Sequence, residues 1–597
     1  TTPEMTEDER GEIVSRNIEA IEEYASKDNE FNARVAQFFG GNEYYLFVYE
    51  TFKDIRLVGT PPESIGKYGA DTDNWMWPRH TGDFSIFRVY TSPDGKPATY
   101  SEDNVPLKSK HYLPINIAGV EKGDFSMIMG YPGGTDRFMS SYGINMAINT
   151  SNPTVVEIRE VKLDKMREGM DTDESVRLQY ASKFARTANY WKYFIGQTKG
   201  LKRLKVKEKK QAEEADFQNW LDQTPEAKEK YGEALVLIGD AYDVLGQYAK
   251  AQTYFREAVY RGAEILGFAN RFKRLSKVLD NKESTDEDVN KVANRLRSTT
   301  DTYFKDYNEN IDKNLFASMM KMYHENVPLD QQPPYLLKMD KKFKGNYQKY
   351  ADWMFNKSIF SSKQKVDAFL ADPNGKKLAK DPALVAVNEF FNSYSDMQSK
   401  TKDAYDKLDR GHRLYIAGLR EMNPDKNYAP DANFTMRVTY GTVQDYFPAD
   451  AVHYEYFTTM DGVMQKEDPS NWEFVVPGKL KELYETKDYG QYGKDGVMKV
   501  CFLTNHDITG GNSGSPVINA NGELIGLAFD GNWEAMSGDI AFEPELQRTI
   551  NVDIRYVLFI VDKFAGATNL IEEMTLVTDR PTADDVEQEE VIIEVMD

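Results

Sequence analysis

The chain has 597 residues, too many for one hydrophobic core, so two or three domains are expected. Its 74 Lys and Arg stand against 96 Asp and Glu, a net charge of −22 that argues against a nucleic-acid backbone as partner. The longest apolar runs, such as residues 557–561, are far too short to span a bilayer, and a single cysteine, Cys501, excludes an internal disulfide and any multi-cysteine metal site.

The chain opens Thr1-Thr2-Pro3, with no initiator Met and no basic stretch followed by an apolar one, the pattern of a sequence that begins inside a longer protein. Residues 5–39 read as helical, with Thr6 as a cap before acidic residues. Strand-like runs follow at 44–49, 55–58, 84–90 and 125–129. The last leads into Gly130-Tyr131-Pro132-Gly133-Gly134-Thr135, a turn similar to one at a comparable place in several bacterial serine peptidases. From about 136 to 432 the periodicity changes to 3.6 residues with dense Lys, Glu, Ala and Gln, which predicts an inserted helical domain. Within it, residues 245–258 resemble one tetratricopeptide unit. No second copy follows at the expected period, so an ordinary helical hairpin is the better reading. The basic run 199–210 interleaves Leu201, Leu204 and Val206 with cations. On one helix that is a solvated face beside a packing stripe, and the net charge weighs against the alternative, nucleic-acid or membrane binding. Strands return near 433, at 435–440 and 497–503, and end near Val577. The acidic tail 579–597 reads as disordered, with a sticky Val591-Ile592-Ile593.

The stretch with the most chemistry is Thr509-Gly510-Gly511-Asn512-Ser513-Gly514-Ser515-Pro516, which has the form of the serine-nucleophile loop of chymotrypsin-like peptidases. Small residues crowd one hydroxyl, and the N–H groups of Gly511 and Ser513 are candidates to hold a developing oxyanion. Residues 517–529, with the turn Asn521-Gly522, read as a β-hairpin after the nucleophile. The alternative is an ordinary Gly/Ser loop of a β-protein. A nucleophilic serine needs a base oriented by a carboxylate, in the order His, Asp, Ser. Asp83, opening an alternating strand, is the best candidate for that carboxylate; an ordinary turn aspartate is the alternative. Among the six histidines, His80 lies three residues before Asp83 and His506 seven before Ser513; both are poor bases.

The block Asn74-Trp75-Met76-Trp77-Pro78-Arg79-His80-Thr81-Gly82-Asp83-Phe84, the Gly-Asn-Ser-Gly-Ser-Pro loop and Asp530-Gly531-Asn532-Trp533-Glu534 together resemble the bacterial serine dipeptidyl peptidases typified by dipeptidyl-peptidases 7 and 11. The resemblance extends from residue 1 to about 578. It implies an α+β multidomain fold: a chymotrypsin-like double β-barrel, its first barrel N-terminally truncated, with a large inserted all-α domain. The corresponding segments are 1–135 (first part of the peptidase domain), 136–432 (helical insert), 433–578 (second part, with the nucleophile) and 579–597 (tail).

By position, the resemblance makes Ser513 the nucleophile, Asp83 the residue orienting the catalytic histidine, and Gly511 and Ser513 the oxyanion donors. Asn74, Trp75 and Asp530 match residues that hold the substrate's free α-ammonium group, and the helical domain would cover the cleft as a lid. Gly531 stands where acidic-preferring members have an arginine, which implies a preference for apolar or bulky penultimate (P1) residues, as in the members resembling dipeptidyl-peptidase 7. The family's histidine lies in a Thr-Asn-His-His-Cys-type segment with no counterpart here. The isolated chain is therefore expected to have little or no activity, a loss on the order of 10⁴–10⁶ in rate. An opened barrel is also expected to expose strand edges and apolar faces. The implied activity is release of dipeptides from the free N-terminus of oligopeptides, in the periplasm or at the surface of a Gram-negative bacterium, by a homodimer without membrane insertion. No metal cluster or phosphate-binding glycine loop is visible, so neither metal nor cofactor is expected. An endopeptidase of the chymotrypsin-like, periplasmic type and a non-catalytic peptide-binding scaffold are the alternatives.

Overall fold

The computed structural model describes residue 2 and residues 5–580; the predicted acidic tail beyond Arg580, with its Val591-Ile592-Ile593, lies outside the described residues. The chain forms two compact units, one from Thr1–Met139 with Leu419–Asp597 and one from Ser140–Gly418. Among the described residues no helix is long and apolar enough to cross a membrane.

The first unit is built on a nine-stranded sheet. Its main path runs Phe457–Thr459, Lys499–Thr504, Thr549–Asp553, Leu524–Gly531, Pro516–Ile518, Phe125–Gly130, Arg437–Thr442, and every neighbouring pair on that path is antiparallel. Ile115–Asn116 joins in parallel to Leu524–Gly531 and to Leu576–Val577. The central strands are covered on both faces, so Lys499–Thr504 reads as a continuous apolar run and Thr549–Asp553 is buried throughout. The helix Ile554–Phe559 follows directly, capped by the Asp553 carboxylate, and all six of its residues are buried. The apolar run 557–561 is thus core. Cys501 sits inside the central strand, fully buried, with Sγ 3.5 Å from the Thr81 carbonyl, and burial pushes its thiol up to about 12.

Residues 5–39 are not one helical segment. The helix Glu7–Ser26 starts on a capping box in which Thr6 and Glu9 satisfy each other's backbone N–H groups. Asp28 takes a left-handed conformation, and Asn32–Phe38 then pairs as a strand with Glu43–Tyr49. A third sheet joins Asp54–Gly59, Ile86–Thr91 and Val105–Pro106. These small sheets carry solvent-exposed apolar side chains, among them Leu46, Val48, Leu57 and Phe87, with Leu57 directly opposite Phe87. The edge strand Arg437–Thr442 likewise leaves Val438 and Tyr440 exposed.

The second unit is helical, from the helix Ser141–Met146 to the 41-residue helix Pro382–Met422, whose last turn belongs to the first unit. Its core is dense in aromatics: Phe268 stacks on Tyr303 at 4.0 Å between centroids and Phe255 on Tyr394 at 4.1 Å. The basic run 199–210 does not form one helix. Lys205, at φ 50°, separates Glu174–Arg203 from Val206–Gln223, and Leu201 and Val206 are buried on either side of the break.

Candidate active site

All of the candidate site residues lie in the first unit. The loop before Ser513 is shaped by positions where a side chain has no room. Gly511 has φ 111°, and a Cβ on it would collide with the Tyr131 carbonyl. One on Gly130 would collide with Asn512 Oδ1 and Ser515 Oγ, so the turn 130–134 packs directly on the loop around Ser513. Gly133 N–H donates to the Gly510 carbonyl at 2.7 Å. In a trans peptide the C=O and the following N–H point in opposite directions, so anchoring the Gly510 carbonyl on one side turns the Gly511 N–H to the other. Neither the Gly511 nor the Ser513 N–H has a partner among the described residues. Two open amides beside an exposed serine hydroxyl are an arrangement able to hold a developing negative charge.

Ser513 Oγ donates to the Phe529 carbonyl at 3.3 Å. That carbonyl is presented by an irregularity in the sheet: Ala528 pairs with Asn551 and Asp530 with Ile550, so Phe529 is an extra residue in its strand. The next residue is Asp530. Its Oδ2 accepts from Arg79 Nη1 at 2.6 Å and from the Trp75 N–H at 3.1 Å, and Oδ1 accepts from the Gly531 N–H at 2.9 Å. Trp75 adopts φ 64°, a left-handed conformation that costs a bulky residue free energy, and the Asp530 bond helps to hold it there. Asn74 is the residue just beyond the short helix Ala70–Asp73. Gly531 is buried against the Trp75 ring; a Cβ there would sit 3.4 Å from the ring and 2.9 Å from the Ala535 Cβ. Ser513, Trp75, Asp530 and Gly531 are thus gathered around one end of one strand.

Sequence reasoning assigned no role to Arg79, which fixes this cluster. Its guanidinium is almost fully enclosed, donates also to the Asp73 carbonyl and to Thr81 Oγ1, and lies over the Phe529 ring at 5.1 Å. A lone arginine in an aromatic block was the available signal, but its partner lies 451 residues away.

Asp83 is exposed and makes no hydrogen bond among the described residues. The dense protein around it pushes its carboxyl up, with Asp530 adding to the rise and Arg79 and Lys67 opposing it. A raised carboxyl favours folding below its unfolded value and loses that contribution as pH rises through the folded one. Asp83→Asn is therefore expected to raise the melting temperature at pH 7. Solvent screening should keep the gain to about 1–2 °C, and it should vanish in acid. A variant that melts lower than the parent at pH 7 would contradict this.

None of the six histidines bonds to Ser513 among the described residues. His506 is buried between Thr504 Oγ1 (2.8 Å) and the Ser126 carbonyl (2.9 Å), and burial pushes it down to about 4. His80 is buried with Nδ1 unpartnered and its ring against Gly462. Burial, then Lys466 and Arg79, push it down to about 3. His453 bonds Asp445 at 2.6 Å, His111 lies exposed, and His324 and His412 belong to the second unit. Among the described residues no group of three or more His, Cys, Asp or Glu is placed to hold a metal ion.

The family model of peptidase S46 matches residues 1–576. Dipeptidyl-peptidase 7 of Phocaeicola vulgatus is 44% identical over 549 residues, covering 92% of this chain and 76% of its own length. Dipeptidyl-peptidase 7 of Porphyromonas gingivalis is 43% identical, covering 95% and 79%. The Asp/Glu-specific dipeptidyl-peptidase of Flavobacterium psychrophilum is 41% identical, covering 96% and 80%. The crystal structure of Porphyromonas endodontalis DPP11 in complex with the dipeptide Arg-Glu superposes with a TM-score of 0.85 at 37% identity, over 94% of this chain and 80% of that one. On this kinship along nearly its whole length, the chain belongs to the peptidase S46 family and is a serine dipeptidyl peptidase.

Proposed function

We propose that the chain carries the nucleophile and substrate-binding part of an exopeptidase that releases dipeptides from the free N-terminus of oligopeptides and prefers apolar or bulky P1 residues, with Ser513 as nucleophile on a chymotrypsin-like frame. The observation that carries this reading is the single strand end that holds the Ser513 hydroxyl through the Phe529 carbonyl and, one residue on, presents the Asp530 carboxylate. A substrate ammonium paired with Asp530 beside Trp75 and Asn74 would fix how far the peptide reaches, so the scissile bond is counted from the free end. The Gly511 and Ser513 amides receive the oxyanion, and Asp83 orients a histidine base that is none of the six in this sequence. Gly531 brings no charge to the P1 side chain, in contrast to an arginine. A homodimer in the periplasm or at the cell surface, acting on oligopeptides, completes the proposal.

Dipeptide binding tests this without needing the base. In calorimetric titrations, Arg-Leu with a free amine is expected to bind about tenfold or more tighter than Arg-Glu, and N-acetylated Arg-Leu to bind at least about tenfold more weakly than the free form. Gly531→Arg should invert the preference towards Arg-Glu. It must displace Ala535 to fit, so circular dichroism should accompany it. Equal binding of the acetylated dipeptide would defeat the exopeptidase reading and favour an endopeptidase; a preference for Arg-Glu in the parent would defeat the assignment to Gly531.

Gly133→Ala offers a separate check on the oxyanion amides. A Cβ at 133 would lie 2.8 Å from the Gly510 oxygen and 2.9 Å from the Phe434 ring, so the peptide that aims the Gly511 N–H must rotate. Affinity for Arg-Leu, whose carboxylate takes the place of the oxyanion, should fall about tenfold with the fold retained. Unchanged affinity would rule out that role.

A further inference from the structure

The second unit contains a cavity of about 950 Å³ bounded by the helices Asn152–Met170, Glu174–Arg203, Glu264–Arg271 and Asp286–Lys305 and by the turn 261–263. Six cations line it (Arg159, Lys162, Lys183, Arg186, Arg261 and Arg271) against Glu264 and Asp306, with Glu257 and Asp312 also acting on those cations. In a chain of net charge −22 such an excess of positive charge in one concavity is opposite to the protein's overall field.

Only part of that charge is neutralised within the protein. Arg159 pairs with Glu257 at 2.8 Å, Arg261 with the same carboxylate at 3.5 Å, and Lys183 with Glu264 at 2.6 Å. Lys162 donates to the Arg261 carbonyl and makes no ion pair with a carboxylate among the described residues, although Glu257, Glu264 and Asp312 act on it from further off. Arg186 and Arg271, exposed at the rim, have neither ion pair nor hydrogen bond among the described residues. Polar atoms in the wall are also left over. Arg159 is 6% exposed and its Nε–H has no acceptor among the described residues; the buried Tyr303 Oη is equally unpartnered among them. A buried donor without a partner costs free energy that a bound acceptor would recover. Burial, then Arg159, push the Lys162 ammonium down to about 8, and a nearby anion would favour its charged form. Phe268 in the wall and Tyr190 and Tyr260 at the mouth add aromatic surface.

We propose that this cavity is a binding site for a small polyanion, a molecule carrying two or more phosphate or carboxylate groups, held by Arg159 and Lys162 at the floor and Arg186 and Arg271 at the rim. It lies wholly within the helical unit and is independent of how the peptidase site is read.

Calorimetric titration of the 597-residue protein with sodium pyrophosphate and with sodium citrate, against sodium chloride of equal ionic strength, tests it. The expected result is saturable binding of at least one of the two, and the one that binds distinguishes a phosphate from a carboxylate ligand. Substituting the floor arginine could cost folding, so the variants are made at the rim. Arg186→Ala with Arg271→Ala should weaken binding about tenfold or more, and the two lysine replacements should recover part of it. Absence of saturable binding by both probes would overturn the proposal. So would binding that the rim variants leave unchanged, or that equal sodium chloride reproduces.

Discussion

Assayed as it stands, the 597-residue chain is expected to hydrolyse fluorogenic dipeptidyl substrates with kcat/KM on the order of 10⁴–10⁶ below that of the Porphyromonas gingivalis dipeptidyl-peptidase 7 measured beside it. The reason is local. All six histidines are placed, and none bonds to the Ser513 hydroxyl, which spends its hydrogen bond on the Phe529 carbonyl. On the proposed reading, a serine without a base is a weak nucleophile, and what would remain is the contribution of binding and of the two open amides. The parts of a serine triad act as a unit, so their losses do not add. Ser513→Ala in this chain should therefore lower the residual rate by less than about tenfold. Turnover comparable to the relative's, abolished by His506→Gln or His80→Gln, would show that one of those buried imidazoles is the base after all.

Asp530→Ala should have the largest effect on the fold around the site. It removes one partner of an ion pair whose side chains are 8% and 11% exposed, leaving the Arg79 charge buried and uncompensated. It also releases the Trp75 N–H from the bond that steadies its left-handed backbone. Breaking such a pair from one side costs about 3–5 kcal/mol, readable as a lower urea midpoint. Asp530→Asn keeps an acceptor oxygen for Arg79 and Trp75 but turns its NH2 towards the Gly531 N–H, and should still cost less than Asp530→Ala. On the proposed reading both variants should lose binding of free dipeptides, because neither keeps a carboxylate to pair with the ammonium. Adding Arg79→Met to Asp530→Ala should restore most of the stability and none of the binding. A double variant as unstable as Asp530→Ala alone would mean that Arg79 acts through its bonds to Asp73 and Thr81, not through the carboxylate.

The features legible in the sequence are those written in a few consecutive residues. The glycines of the nucleophile loop, the hairpin through Asn521-Gly522, the Thr6 cap and the change to a helical period after the first strands all depend on neighbours in the chain, and each is found in the structure. The features missed depend on distant partners. The strand Asn32–Phe38 reads equally well as the end of a helix until Glu43–Tyr49 is laid beside it. The extra residue at Phe529 exists only relative to the register of Thr549–Asp553. Arg79 becomes meaningful only when a carboxylate from the far end of the chain reaches it. The break at Lys205 overrides a lysine-rich stretch of high helix propensity, with buried contacts of Leu201 and Val206 on either side of it.

The solitary thiol at the centre of the large sheet makes this protein its own unfolding reporter. Cys501 is sealed from solvent and held in its unreactive protonated form, so an alkylating reagent can modify it only when the strands around it separate. With no second thiol in the chain, one added mass reports opening of that sheet, read without engineered sites. Ligands of the peptidase site that brace the strand carrying Asp530 should slow that clock, whereas ligands confined to the helical unit supply a direct measure of whether the two units communicate.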